Sequence, residues 1–240
     1  MINCRHLRLL VTLALVVACE GAPADDSQAS PMEMARRYLK GDGVPKAPTK
    51  ALALVRPLAE GGNPEGEALL GFMLAQGIAV PKDEPEAVSW FRKAAAQGYA
   101  PAQLNLGIML MKGQGTDQAI SEGLGLVELA GDAGNVDAQL RLSDWYYFGA
   151  DGVDKDRKKA AKWVKLAAAS GDRWAQQLWG NMVEWGEGGV EPDRLEALAW
   201  YRKAAEQGET KAQSSLGRIL AGMTGEHDEI EAYAWLRLSA

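Results

Sequence analysis

The sequence predicts an all-α solenoid of stacked antiparallel helix pairs, about five and a half of them over residues 32–240. Two glycine series and an apolar stripe predict it, all sharing one period. Gly41, Gly77, Gly113, Gly149, Gly186 and Gly222 are spaced by 36 or 37 residues, and so are Gly62, Gly98, Gly134, Gly171 and Gly208. Ala102, Ala138, Ala175 and Ala212, each followed by Gln, keep the same step. The aromatic series Trp90, Trp163, Trp200 and Trp235, with Leu126 in the missing place, keeps it to within one residue. Several series in one register mean that each repeat is one supersecondary unit.

Taken in order, the first glycine of each period closes a first helix and the second closes a second helix. Glycine enters the left-handed region at a helix C-terminus without a steric penalty. Between the two helices lies a loop such as Gly77 to Asp83, where Asp83 supplies an N-cap oxygen and Pro85 sits in the first turn. The second helix then runs from about Glu84 to Gln97. Within it Ala87, Trp90, Phe91, Ala94 and Ala95 form one apolar stripe, and Ala160, Trp163, Val164, Ala167 and Ala168 repeat it. The periodic tryptophans are expected in the core, filling the space that the small alanines leave. A single pair cannot bury such a stripe, so the pairs must stack.

The segments Trp90 to Gly98, Ala102 to Gly107 and Trp200 to Gly208 resemble the Sel-one-like repeat, a relative of the tetratricopeptide repeat. The resemblance extends over residues 32–240. It implies a right-handed superhelix whose first helices line the concave side, serving as a binding scaffold, often in bacterial envelope or secreted proteins.

Two places depart from the pattern. Gly123, Gly125 and Gly131 interrupt the second helix of the third repeat. They mark either the softest turn of the stack or a place where tight packing needs glycine. The last helix reaches Ala240 with no polar capping helix after it, which predicts an uncovered apolar end face or a truncated member.

The N-terminus reads as a targeting segment. Arg5 and Arg8 precede an apolar stretch from Leu9 to Ala18, too short to span a bilayer, and Val16-Val17-Ala18-Cys19 resembles a bacterial lipobox. The expected layout is a signal peptide over 1–18, a lipidated Cys19 opening a flexible tether over 19–31, and the solenoid over 32–240. The chain is then exported and periplasmic, anchored to a membrane through Cys19; the alternative is ordinary cleavage and a secreted protein. The net charge of -6, with no Lys/Arg cluster, argues against nucleic acid as a partner.

Chemistry is sparse. Beyond the signal segment the only histidine is His227, read as a solvated turn residue, and both cysteines, Cys4 and Cys19, lie at the N-terminus. No metal, cofactor or catalytic group is expected. Gly186 to Gly189 lacks the strand and the Lys-Ser/Thr of a phosphate loop. The family's cysteine-rich members, reported as β-lactamases with a disulfide in each repeat, are not what this chain resembles.

Four tryptophans fall outside the periodic slot. Trp145 and Trp179 align with Met or Leu of other repeats and read as packing, while Trp174 and Trp185 align with nothing regular. With Arg141, Asp144, Phe148, Asn181 and Arg218 they form columns on the first helices where packing does not dictate the residue. Aromatics beside Arg are the composition of interface hot spots. The expected function is a non-catalytic envelope scaffold holding a protein or peptide. A structural part of an exopolysaccharide export or envelope-assembly machine, and a cell-wall or β-lactam hydrolase, are the alternatives.

Overall fold

The structure, a computed structural model, describes residues 29–222 and 226–239. The predicted signal peptide, Cys19 and the tether up to residue 28 lie outside the described residues. Among those described there are twelve α-helices and no strand, paired as α1 (Pro31–Lys40) with α2 (Pro48–Glu60) and α3 (Pro64–Gln76) with α4 (Glu84–Ala96). α5 (Ala100–Lys112) then pairs with α6 (Ile120–Asp132), and α7 (Val136–Phe148) with α8 (Arg157–Ala169). α9 (Arg173–Trp185) pairs with α10 (Arg194–Glu206), and α11 (Thr210–Ala221) with α12 (Glu226–Leu238). Every extensive contact between α-helices joins neighbours in the chain, within a pair or between successive pairs, which is the packing of a repeat solenoid. The expected fold class is therefore borne out, with six helix pairs among the described residues where about five and a half were expected.

The local signals act where they were placed. Asn63, Asp83, Asn135, Asp156, Asp172 and Asp193 each accept a hydrogen bond from a backbone N–H in the first turn of the following helix. One such cap is worth about 1 kcal/mol, so the repeat is punctuated energetically as well as sterically. Both glycine series adopt positive φ, with one exception: Gly222 has φ −93° and ends α11 without a left-handed turn.

The tryptophan expectation needs correction. Trp163 is buried, but Trp90, Trp200 and Trp235 are only half-buried. Their indole N–H groups donate to Glu86, Glu196 and Glu231 one turn earlier, at 3.2, 3.2 and 3.1 Å. Lys93 and Lys203 lie over the rings of Trp90 and Trp200, 3.7 and 4.0 Å from the centroids. After Trp90 and Trp200 the deep place belongs instead to the next residue, Phe91 or Tyr201, whereas Trp163 and Val164 are buried together. A small residue on the paired first helix admits it: a Cβ on Gly71 would stand 3.2 Å from the Phe91 ring, and one on Gly180 2.8 Å from that of Tyr201. Trp145 and Trp179 are buried, as their alignment with Met and Leu implied.

The glycines of α6 divide between the two readings. A Cβ on Gly123 would lie 2.5 Å from the carbonyl oxygen of Gly107, and one on Gly131 would lie 2.8 Å from the Trp163 ring. At these two positions α6 approaches its neighbours too closely for a side chain, so packing requires glycine there. Gly125 meets nothing within 4 Å.

At the far end α12 has the same 13 residues as α2 through α10, and it leaves Ile230, Tyr233 and Leu238 exposed. The backbone of His227 lies in the first turn of α12 rather than in a loop; its side chain is outside the described ones.

Candidate binding face

Each first helix turns one side into the stack and leaves the other open. In α3 the residues Leu70, Gly71, Met73 and Leu74 are buried, whereas Phe72 and Gln76 are exposed. One repeat step carries Phe72 to Arg36 in one direction and to Ile108, Asp144, Asn181 and Arg218 in the other. The same step carries Gln76 to Lys40, Lys112, Phe148 and Trp185. At two junctions an ion pair joins successive first helices: Arg36 on α1 pairs with Glu65 on α3, and Arg218 on α11 pairs with Glu184 on α9. By repeat spacing, the columns that hold Asp144, Asn181 and Arg218 and Phe148 and Trp185 extend back to α1 and α3.

In the C-terminal half the expected residues enter two clusters. Phe148, 70% exposed, sets its ring at 72° to that of Tyr147 with 4.8 Å between centroids. Arg157 lies 3.7 Å over the Tyr147 ring and donates to Glu187 at 3.0 Å. One repeat on, Arg218 Nη2 donates to both carboxylate oxygens of Glu184 at 2.7 Å, and its guanidinium stands 5.9 Å from the ring of Trp185, itself 66% exposed. The Glu184 side chain is 7% exposed, which a carboxylate tolerates here because Tyr201 Oη also donates to it at 2.8 Å. Tyr201 Oη lies 2.6 Å from Asn181 Oδ1. Burial first, then the Glu184 hydrogen bond and charge, push the Tyr201 phenol up. Two of the expected site residues, Asn181 and Arg218, are therefore joined in one polar cluster.

Trp174, 37% exposed, stands near the start of α9, and Arg141 is exposed on α7 beside Asp144. Burial raises the Asp144 carboxyl and the Arg141 charge draws it back in part. Glu184 and the hydroxyl of Tyr201 were not among the residues expected from sequence. Neither was Phe72, although it lies two repeat steps before Asp144 in the same column.

Phe72, 40% exposed, borders three contiguous hollows in the N-terminal half. The largest, about 670 Å³, lies between α1 and α3 and is floored by Leu39, Leu69, Phe72 and Ile78, with Pro48 and Ala79 from the loops and helix starts. Arg36, Lys40 and Lys46 stand around it. The second, about 410 Å³, passes between α3 and α5 and presents Gln76, Asn105 and Gln114 beside Phe91 and Ile108. The third, about 160 Å³, joins them past Tyr99 and Asn105.

Among the described residues no three His, Cys, Asp or Glu side chains come together as a metal-binding group, and no helix is long and apolar enough to cross a membrane.

The sequence profile of the Sel1 repeat matches residues 32–63, 64–99, 100–135, 136–172, 175–209 and 210–240, one helix pair to each. Among solved structures, the chain is similar to a Sel1 repeat protein from Oxalobacter formigenes, at 32% identity and a TM-score of 0.69 over 88% of this chain and 87% of that one. It is also similar to a protective antigen of uropathogenic Escherichia coli with an SLR fold, at 31% identity and a TM-score of 0.74 over 87% of this chain. The match spans 44% of that antigen's length. A Sel1 repeat protein from Klebsiella pneumoniae shares the fold at 23% identity and a TM-score of 0.50, over 79% of this chain and 91% of that one. No curated protein matches the sequence.

Proposed function

The chain belongs to the Sel1 repeat family, whose members are generally protein–protein interaction scaffolds, and from that premise we propose that it is a non-catalytic adaptor of the bacterial envelope. Its partner is a protein or peptide held across the first helices. One observation carries this reading: among the described residues the exposed aromatics Phe72, Phe148, Trp174 and Trp185 lie on first helices, and Tyr233 alone lies on a second helix. Exposed aromatics, with Arg218 5.9 Å from the Trp185 ring and Arg141 on the same helix as Phe148, supply large contact area and directional charge, the usual ingredients of an interface hot spot. The envelope placement rests on the charge, apolar run and Cys19 of the N-terminal segment.

Replacing Trp174 and Trp185 with Ala and recovering partners from envelope extract tests the site. Loss of a specific partner with an unchanged helical circular dichroism spectrum is the expected result. Unchanged recovery would remove these tryptophans from the interface. Radiolabelled palmitate incorporated into the wild type and not into Cys19→Ser would support the anchor.

A further inference from the structure

We propose that the hollow between α1 and α3 seats the apolar side chains of a peptide that carries acidic residues beside them. The proposal rests on the scaffold reading but concerns a different part of the face from Trp174 and Trp185.

The floor is hydrocarbon, from Leu39, Leu69, Phe72 and Ile78, and its volume of about 670 Å³ falls within the size range of ligand-holding clefts. The rim carries one sign of charge. Arg36, Lys40 and Lys46 line it and no carboxylate does, in a chain whose net charge is -6. Arg36 is matched by Glu65, but Lys40 and Lys46 have no ion pair among the described residues. Two uncompensated ammonium groups over an apolar floor complement a ligand whose anionic groups lie next to an apolar body.

The continuation of the hollow selects a peptide over a lipid or fatty acid. Past Phe72 the surface offers the amides of Gln76, Asn105 and Gln114, beside the ion pair of Lys82 and Glu84. Amides donate and accept hydrogen bonds, which suits a polypeptide backbone and is wasted on an acyl chain. Apolar anchors at Phe72, acids at Lys40 and Lys46, and backbone across α3 and α5 form one consistent pose.

Selection of a random dodecapeptide display library on the purified chain tests this, followed by fluorescence anisotropy on the enriched peptides. Enriched sequences should place Asp or Glu within a few residues of a large apolar residue, and binding should weaken with added salt. Lys40→Glu with Lys46→Glu should lower affinity by about tenfold or more, as should Phe72→Ala, each with an unchanged dichroism spectrum. Leu195→Ala, at an exposed position on the second helix α10, should leave peptide affinity unchanged. Failure to enrich any peptide, an absence of acidic bias, or unaltered binding by the charge-reversed variant would overturn the proposal. Competitive displacement by laurate at one equivalent would also overturn it, in favour of a small amphiphile. If envelope partners are lost with the tryptophan variant while charge reversal changes no binding, the scaffold reading stands and this inference falls.

Discussion

Arg218 on α11 holds both carboxylate oxygens of Glu184 on α9 at 2.7 Å, across the boundary between the fifth and sixth repeats. The Glu184 side chain is 7% exposed, so Arg218→Ala leaves a nearly buried carboxylate with only the Tyr201 hydroxyl. The expected cost is about 1–3 kcal/mol, read as a lower urea midpoint. The Arg36–Glu65 pair links α1 to α3 in the same sense, but both side chains are substantially exposed. Arg36→Ala should cost at most about 1 kcal/mol. Equal losses in the two variants would show that burial of Glu184 does not set the strength of its pair.

Alkaline pH should loosen the stack through two phenols. Tyr201 donates to Glu184 and Tyr146 to Glu128, and burial together with those carboxylates raises both phenols above the ordinary value of 10.0. The folded state keeps its protons at a pH where the unfolded chain has begun to lose them. The stability they contribute is therefore complete below the unfolded value and is lost as pH rises through the folded one. The urea midpoint should fall as pH rises from about 10 upward. A Tyr146→Phe, Tyr201→Phe variant, less stable at pH 8, should show a shallower fall; parallel slopes would mean that these phenols titrate normally.

The parts legible in the sequence are those that repeat. Helix pairs, caps and left-handed glycines depend on interactions within a few residues, so Asp83 and Gly98 could be placed from spacing alone. The depth of a side chain depends on the partner helix. Trp90 and Phe91 are adjacent in the same stripe, and only the small residue opposite, Gly71, decides that Phe91 goes deep. The series Gly71, Gly107, Gly180 and Gly217 carried that information at the repeat period. On the first helices the columns were legible and their content was not. Aromatic density drew attention to Phe148 and Trp185, whereas the hollow beside Phe72 is lined by α1 together with Ile78 and Ala79, which lie far from α1 in sequence.

The glycines of α6 should respond to alanine in opposite directions. Gly125 has open space where a Cβ would go, so Gly125→Ala removes only backbone entropy of the unfolded chain and should stabilise by about 0.5–1 kcal/mol. Gly123→Ala would put its methyl 2.5 Å from the Gly107 carbonyl oxygen and from Met111 Cγ. Helices α5 and α6 must separate to admit it, at a cost of about 1–3 kcal/mol. Thermal melts of the two variants decide this, and stabilisation by both would mean that the close approach of Gly107 and Gly123 is not needed.

A glutamine at the end of the second helix should repair an orphaned acceptor in the third repeat. Gln207, the cap of α10, donates from Nε2 to Gln176 Oε1 at 2.8 Å, and Gln97, the cap of α4, donates to Glu67 Oε2 at 2.8 Å. The corresponding caps of α6 and α8 are Ala133 and Ser170, which have no amide to offer. In those repeats Gln103 Oε1 and Gln139 Oε1 are buried without a hydrogen-bond partner. An unpaired buried acceptor costs about 1–3 kcal/mol, so Ala133→Gln should recover about 1 kcal/mol once the entropy of ordering the new side chain is subtracted. The gain must depend on the oxygen it serves. In a Gln103→Met background the same Ala133→Gln change should give almost nothing, and the double-mutant cycle measures the difference as a coupling energy. A gain of equal size in both backgrounds would trace the effect to the helix end itself and refute the pairing.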